Sequence, residues 1–295
     1  MNLQGKRVLI TGVGIKPAKF VFKDITTGEP SHTSIFDGDT EYKANVGAAI
    51  AFESAEAGAV VHLVSRTEEK LKIVKNWIES KIPKAKVEYS AIDLSDIEQL
   101  RKLEKDLPND MPLCWVQSVG LGAGTVKIKD DNPYLTIENI SPELVEAETA
   151  VLKDTISVLQ TFLPRFKEQE ETRIVIVTSM SAIRSVPGGS IHNAAKGAVS
   201  RFANASMIEL GKNKIFITDV RPGGVDTGMY DAKAVQESIE PMAISYGYDW
   251  SIENGGLRLA PPSSVGKAVV TVLSSEAHIT SLNLVARGQW PHEGS

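Results

Sequence analysis

Residues 7–14 read Arg7-Val8-Leu9-Ile10-Thr11-Gly12-Val13-Gly14, a run of β-formers that ends in a Gly-x-Gly turn. A continuous apolar run of this kind is how a strand covered on both faces reads, as in a parallel sheet. Similar runs recur at Ala59–Val64, Lys86–Ala91, Leu113–Val119, Arg173–Ser179, Lys214–Val220 and Leu282–Ala286. Segments of helical period lie between them, among them Val46–Glu56, Thr67–Glu79 and Ser95–Asp106. The stretch Ser95-Asp96-Ile97-Glu98 has capping-box spacing, which predicts a helix start there. The alternation predicts an α/β fold with a doubly wound sheet of seven mostly parallel strands and helices on both faces.

Composition narrows the field further. The 295 residues carry 32 basic and 37 acidic side chains, a formal net charge of −5, with 42% hydrophobic residues. That is a globular composition with no basic surface suited to nucleic acid or an anionic membrane. No apolar run approaches the ~18 residues of a membrane span, and the chain enters a strand-like run at once, which leaves no room for a cleaved signal. The single Cys114 cannot form an intrachain disulfide and sits in an apolar strand, so it reads as a core residue. A cytoplasmic protein is expected, with neither nucleic acid nor membrane as partner.

No repeat or linker divides the chain, so one domain over residues 1–295 is expected. Two segments interrupt the alternation. Residues 15–45 form a polar insertion with turn residues at Thr27-Gly28-Glu29-Pro30, which predicts a hairpin protruding from the core. Its polarity argues against a core role. Residues 225–262 carry the breakers Gly247, Gly255, Gly256, Pro261 and Pro262 and read either as a lid over a substrate pocket or as a mobile insertion.

Ligands of doubly wound sheets bind beyond the carboxyl ends of the strands, where the first strand leads into its helix. Glycines at Gly12 and Gly14 would let the backbone approach a pyrophosphate, and the helix opening at Val46-Gly47 would supply amide donors. With Ala57-Gly58-Ala59 closing that helix before the second strand, the chain resembles the short-chain dehydrogenase/reductase family, whose fold is a Rossmann domain. The family's TGxxxGIG motif is present but split. Thr11-Gly12 matches its start and Asn45-Val46-Gly47 its end, with asparagine for the middle glycine, and Gly12 and Gly47 lie 35 residues apart instead of six. The second strand ends Val64-Ser65-Arg66. Ser65 stands where an acid would hold a ribose 2′-OH, and the cation of Arg66 suits a 2′-phosphate, which favours NADP(H) over NAD(H). The resemblance implies an adenine-side role for Asp93 and Leu94. Ser118 and Gly120 fall in the place of the family's NNAG. Pro222-Gly223-Gly224-Val225-Asp226-Thr227 resembles its PG-x-V-x-T segment beside the nicotinamide, which brings in Pro222, Gly223, Val225 and Thr227.

The same resemblance places the catalytic serine at Ser179. Thirteen residues on, where the family has the tyrosine of its YxxxK motif, this chain has His192, followed by Lys196. Pro187 falls where the family commonly has proline, which fixes the register. The family's helix asparagine aligns near Val151, so that group is missing. On a helix i and i+4 share a face, so His192 and Lys196 would project into one pocket. Free imidazole titrates near ~6.5, and a mostly neutral ring could take a proton from an alcohol or polarise a carbonyl. His32, His62, His278 and His292 show no metal-ligand spacing, so no metal is expected.

The reading that results is NADP(H)-dependent interconversion of a carbonyl and an alcohol on a small organic molecule. Ser179 would orient the substrate oxygen, His192 would handle the proton, and Lys196 would hold the ribose. Two alternatives stand beside it. One is a nucleotide-binding regulatory or scaffold protein that has lost catalysis; the other is a non-redox lyase or isomerase on the same fold. The resemblance also implies a homodimer or homotetramer.

Overall fold

The computed structural model describes residues 2–24, 27–120, 137, 140–185, 189–231 and 258–287. In chain order the strands are β1 (Arg7–Thr11), β2 (Ile15–Pro17), β3 (Ser34–Asp37), β4 (Thr40–Ala44), β5 (Val60–Ser65), β6 (Lys86–Ala91), β7 (Leu113–Gln117), β8 (Thr172–Val177), β9 (Ile215–Pro222) and β10 (Ser281–Leu284). The helices are α1 (Val46–Glu56), α2 (Glu68–Lys81), α3 (Ile97–Asp106), α4 (Pro142–Glu168), α5 (Ser190–Leu210) and α6 (Pro262–Ser274).

Seven strands form one parallel sheet in the order β10-β9-β8-β7-β1-β5-β6. All five residues of β1 are buried, as its unbroken apolar run requires. Val8 and Ile10 point into a cluster with Ile50 of α1, Leu71 of α2 and Val269 of α6. Leu9 points the other way, into a cluster with Leu100 of α3, Phe162 of α4 and Val199 of α5. The sheet is therefore covered on both faces: a Rossmann fold. Cys114, on β7, lies in the first cluster, and burial pushes its thiol above the usual range. No helix among the described residues is long and apolar enough to cross a membrane.

Two local expectations need correction. The third helix starts one residue later than its capping-box spacing suggested. Asp96 is the cap, its carboxylate accepting from Glu98 N at 2.9 Å and Gln99 N at 3.2 Å, and these bonds hold it below the usual carboxylate range. Ser95 instead donates to Asp93.

The insertion is a three-stranded antiparallel sheet, β2-β4-β3. Its hairpin turns at Gly38-Asp39, between the paired Asp37 and Thr40, and Gly38 has a φ of +56°. A two-residue turn with positive φ suits the twist of the flanking strands. The expected turn at 27–30 is present as well: Gly28 N donates to Asp24 O at 2.8 Å. Its flanks are tied by Asp24 N to Glu29 O at 2.8 Å, Ser31 N to Phe22 O at 2.9 Å and an isolated Lys23–Pro30 bridge, where Pro30 has no N–H to extend a ladder. The segment is not, however, outside the core. Ile15, Ile35 and Ala44 join the first cluster, and Lys43 is fully buried. The average polarity hides an alternation in which Ile35 is buried and Phe36 exposed.

Candidate active site

At the end of β1 the chain turns through Gly12. Its φ is +89°, a conformation natural to glycine, and a Cβ there would lie 2.5 Å from the backbone N of Val119. Gly47, in the first turn of α1, is equally confined. A Cβ on it would lie 2.5 Å from Ser118 Oγ and 2.8 Å from the Gly12 carbonyl oxygen. The two halves of the split motif thus meet in space. Asn45 joins them: its N donates to Gly14 O at 3.1 Å, and its Oδ1 accepts from Gly14 N at 3.0 Å and Ala48 N at 2.9 Å. Its Nδ2 donates to Gly12 O at 2.8 Å. One asparagine side chain caps α1 and closes the turn that a contiguous glycine motif would form with backbone alone.

A cleft of about 170 Å³ opens beside this turn. Asn45 and Val46 line it, so the positive end of α1 borders it. Ser118 and Gly120 line it after β7, and Pro222, Gly223, Val225 and Thr227 after β9. Ser179, His192 and Lys196 complete it. Ser118 Oγ donates to Thr11 O at 2.7 Å, tying β7's end to β1's. Thr11 itself turns into the sheet, where its hydroxyl accepts from Trp115 Nε1 at 3.3 Å.

Ser179 follows β8, and its Oγ accepts from Ser181 N at 3.0 Å, capping the short turn Met180–Ala182. His192 and Lys196 share one face of α5 and are both buried. Nδ1 of His192 lies 3.3 Å from Oε2 of Glu148, a residue of α4 that is only 1% exposed. The other oxygen of Glu148 has no hydrogen-bond partner among the described residues. Burial pushes the Lys196 ammonium below the ordinary lysine range, against the opposing pull of Glu148 and Asp219. Lys196 Nζ donates to Val119 O at 3.5 Å. Asp219, fully buried on β9, accepts from Thr178 and Ser200 and pairs with Arg221 at 2.7 Å.

Thr11, Gly12, Gly14 and Gly47 lie behind the lining of this cleft, and the remaining predicted positions lie at and past the ends of β5 and β6, away from it. Ser65 ends β5, its carbonyl accepting from Ile92 N at 2.9 Å, and the exposed Arg66 follows. Asp93 is half-buried and accepts from Ser95; the side chain of Leu94 packs into the second core cluster. Nearby on α4, Asp154 is buried and its carboxyl is pushed up to about 6, first by burial and then by Asp93, while Lys153 and Arg66 oppose the shift. A folded-state value above the unfolded one means that stability falls as pH rises from near 4 through about 6. Asp154→Asn removes that loss, so thermal scans should show a higher Tm than wild type at pH 8 and little difference at pH 4.

Glu148 is the residue that sequence reasoning missed. The expected asparagine position, Val151, is buried in the second core cluster, and the carboxylate one helical turn earlier reaches the histidine instead. Checking the i−3 and i−4 neighbours of that position would have found it. Thr178 and Met229 also line the cleft without having been singled out. Pro187 lies outside the described residues.

The family model for short chain dehydrogenase matches residues 42–238. An uncharacterized oxidoreductase of Staphylococcus aureus (strain MW2) is 23% identical over 247 residues, covering 83% of this chain and 93% of that protein. Another, from Staphylococcus saprophyticus, is 24% identical over 253 residues, covering 84% and 94%. Among solved structures, the NADPH-bound short chain oxidoreductase of Pseudomonas aeruginosa PAO1 containing an atypical catalytic center superposes with a TM-score of 0.72 at 17% identity, covering 99% of both chains. L-sorbose reductase of Gluconobacter frateurii, complexed with NADPH and L-sorbose, gives a TM-score of 0.69 at 18% identity, covering 97% of each. The solved structures share the fold, and the model's match over well more than half of the sequence settles the lineage: this chain belongs to the short chain dehydrogenase family.

Proposed function

We propose that the protein is an NADP(H)-dependent oxidoreductase that interconverts a carbonyl and an alcohol on a small organic substrate. The observation that carries this reading is the meeting of Ser179, His192 and Lys196 in one cleft that opens beside the Gly12–Gly47 turn. The site suits a dinucleotide because the amino terminus of α1, at Asn45 and Val46, borders the cleft and can face a phosphate. The NADPH found in the Pseudomonas and Gluconobacter structures supports the same assignment.

When bound, the nicotinamide supplies or accepts the hydride. An alcohol being oxidised would at the same time give its hydroxyl proton to the protein, leaving a carbonyl. Ser179 Oγ holds the reacting oxygen. Glu148 engages Nδ1 of His192, and the ring exchanges a proton with the substrate. The Glu148 carboxylate fixes the tautomer and stabilises the imidazolium once the proton arrives. Lys196 contributes its cation to the ribose and to the field around His192. Of the segment 225–262 expected to be a lid, residues 232–257 lie outside the described residues.

A carbonyl and alcohol panel assayed at the nicotinamide absorbance band tests the reading. Hydride transfer changes that absorbance. Tight NADP(H) binding without turnover would establish a binding module, and substrate conversion without net cofactor change a non-redox enzyme. Arg66 tests the choice of cofactor. A charge-assisted phosphate contact is worth ~1.5–3 kcal/mol, so Arg66→Ala should weaken NADPH roughly ten- to 150-fold and leave NADH nearly unchanged in fluorescence titration. Equal weakening of both would remove the 2′-phosphate assignment.

A further inference from the structure

The insertion exposes most of its charged residues, among them Lys16, Lys19, Asp37 and Asp39, but not Lys43. Lys43, in β4, is fully buried, and its Nζ donates to Asp226 Oδ1 at 2.6 Å and Asp231 Oδ1 at 2.8 Å. Asp226 is itself fully buried and also accepts from Ser31 Oγ at 2.7 Å. Asp231 accepts from the backbone N of Lys19 and Phe20 at 3.1 and 3.3 Å. Every one of these bonds joins the insertion to the loop that follows β9. Among the described residues, the start of that loop is tied to the fold beyond it through the Val225–Ala260 bridge and the Gly223 N to Leu284 O bond at 2.6 Å. It supplies Val225, Thr227 and Met229 to the lining of the cleft. On the other side, Lys43 is two residues before Asn45, which closes the phosphate turn.

We propose that Lys43 is a positioning residue of the cleft: by clamping Asp226 and Asp231 it fixes the Val225–Met229 wall relative to the phosphate turn. A buried ammonium between two buried carboxylates suits this task. Its charges are costly to separate, so the loop has one favoured seat and a sharp penalty for leaving it. The insertion thus acts as a brace across the cleft. This inference rests on the reading of the cleft as a dinucleotide site, and the wall it fixes is the one next to the reacting end of the cofactor.

The test compares wild type, Lys43→Met and the milder Asp231→Asn, which leaves the Lys43–Asp226 pair intact should Lys43→Met fail to fold. Two probes are titrated, NADPH and adenosine 2′,5′-bisphosphate, which lacks the nicotinamide half. Hydrogen exchange is followed at residues 223–231. The expected result is at least a tenfold weaker NADPH affinity in Lys43→Met, and a smaller loss in Asp231→Asn. Affinity for the adenosine bisphosphate stays unchanged, and exchange is faster at Asp226 and Thr227 but not in β1 or β8. Equal loss of both probes would reveal a general structural fault and overturn the proposal, as would unchanged exchange in the loop. If wild type binds neither probe, the dinucleotide reading falls, and the exchange data alone then decide whether Lys43 holds the loop.

Discussion

His192→Ala should lower kcat by roughly 10²–10⁴-fold, the usual worth of a positioned acid or base. The ring is the one proton-exchanging group that α5 places in the cleft where a family member would have tyrosine, so its loss leaves no substitute at that position. The pH profile separates chemistry from mere structural damage. Alcohol oxidation requires the neutral ring and carbonyl reduction the imidazolium, so the two directions should change in opposite senses as pH rises. In His192→Ala both trends disappear. His192→Tyr restores a hydroxyl donor and should recover part of the reductase activity at neutral pH, provided the ring is accommodated beside Glu148. Equal rates and superimposable profiles for wild type and His192→Ala would show that the imidazole moves no proton.

Glu148→Gln should cost roughly 10²-fold or more in kcat, by the logic of a buried carboxylate that orients a catalytic imidazole. The amide keeps the shape but not the charge, and its NH₂ can donate to Nδ1 and so favour the wrong tautomer. A second effect follows from Lys196. Burial already lowers its proton affinity, and Glu148 is the first of the charges that oppose the shift. Removing that charge should move the alkaline limb of the activity profile to lower pH. Unaltered kcat together with an unmoved alkaline limb would reduce Glu148 to a packing residue.

Much of this was legible along the chain. The apolar runs at 7–11 and 60–65 predict buried parallel strands because each residue has to satisfy a packed face, a requirement that local composition records. The thirteen-residue step from Ser179 to His192 likewise brings both into one cleft. What escaped were groups defined by partners on distant elements. Glu148 matters through His192, 44 residues away, and Lys43 through Asp226, 183 residues away. A buried lysine paired with buried acids looks, in sequence, like any solvated charge. Thr11 and Leu94 show the converse limit: a strand-end residue can match a motif while its side chain turns into the core.

The split glycine motif also changes the order in which the protein must assemble. In a contiguous motif the phosphate turn is a local event, closed within a few residues. Here Gly14 and Asn45 are 31 residues apart, so the turn is a loop closure whose entropic cost grows with the chain between them. The β2-β4-β3 sheet meets that cost, because its pairing of Ile15 with Ala44 brings the two ends together. The cradle is therefore a tertiary structure, closed through the pairing of the insertion's strands. Refolding followed by two probes should show the nucleotide-competent state appearing with the insertion's sheet and not with β1.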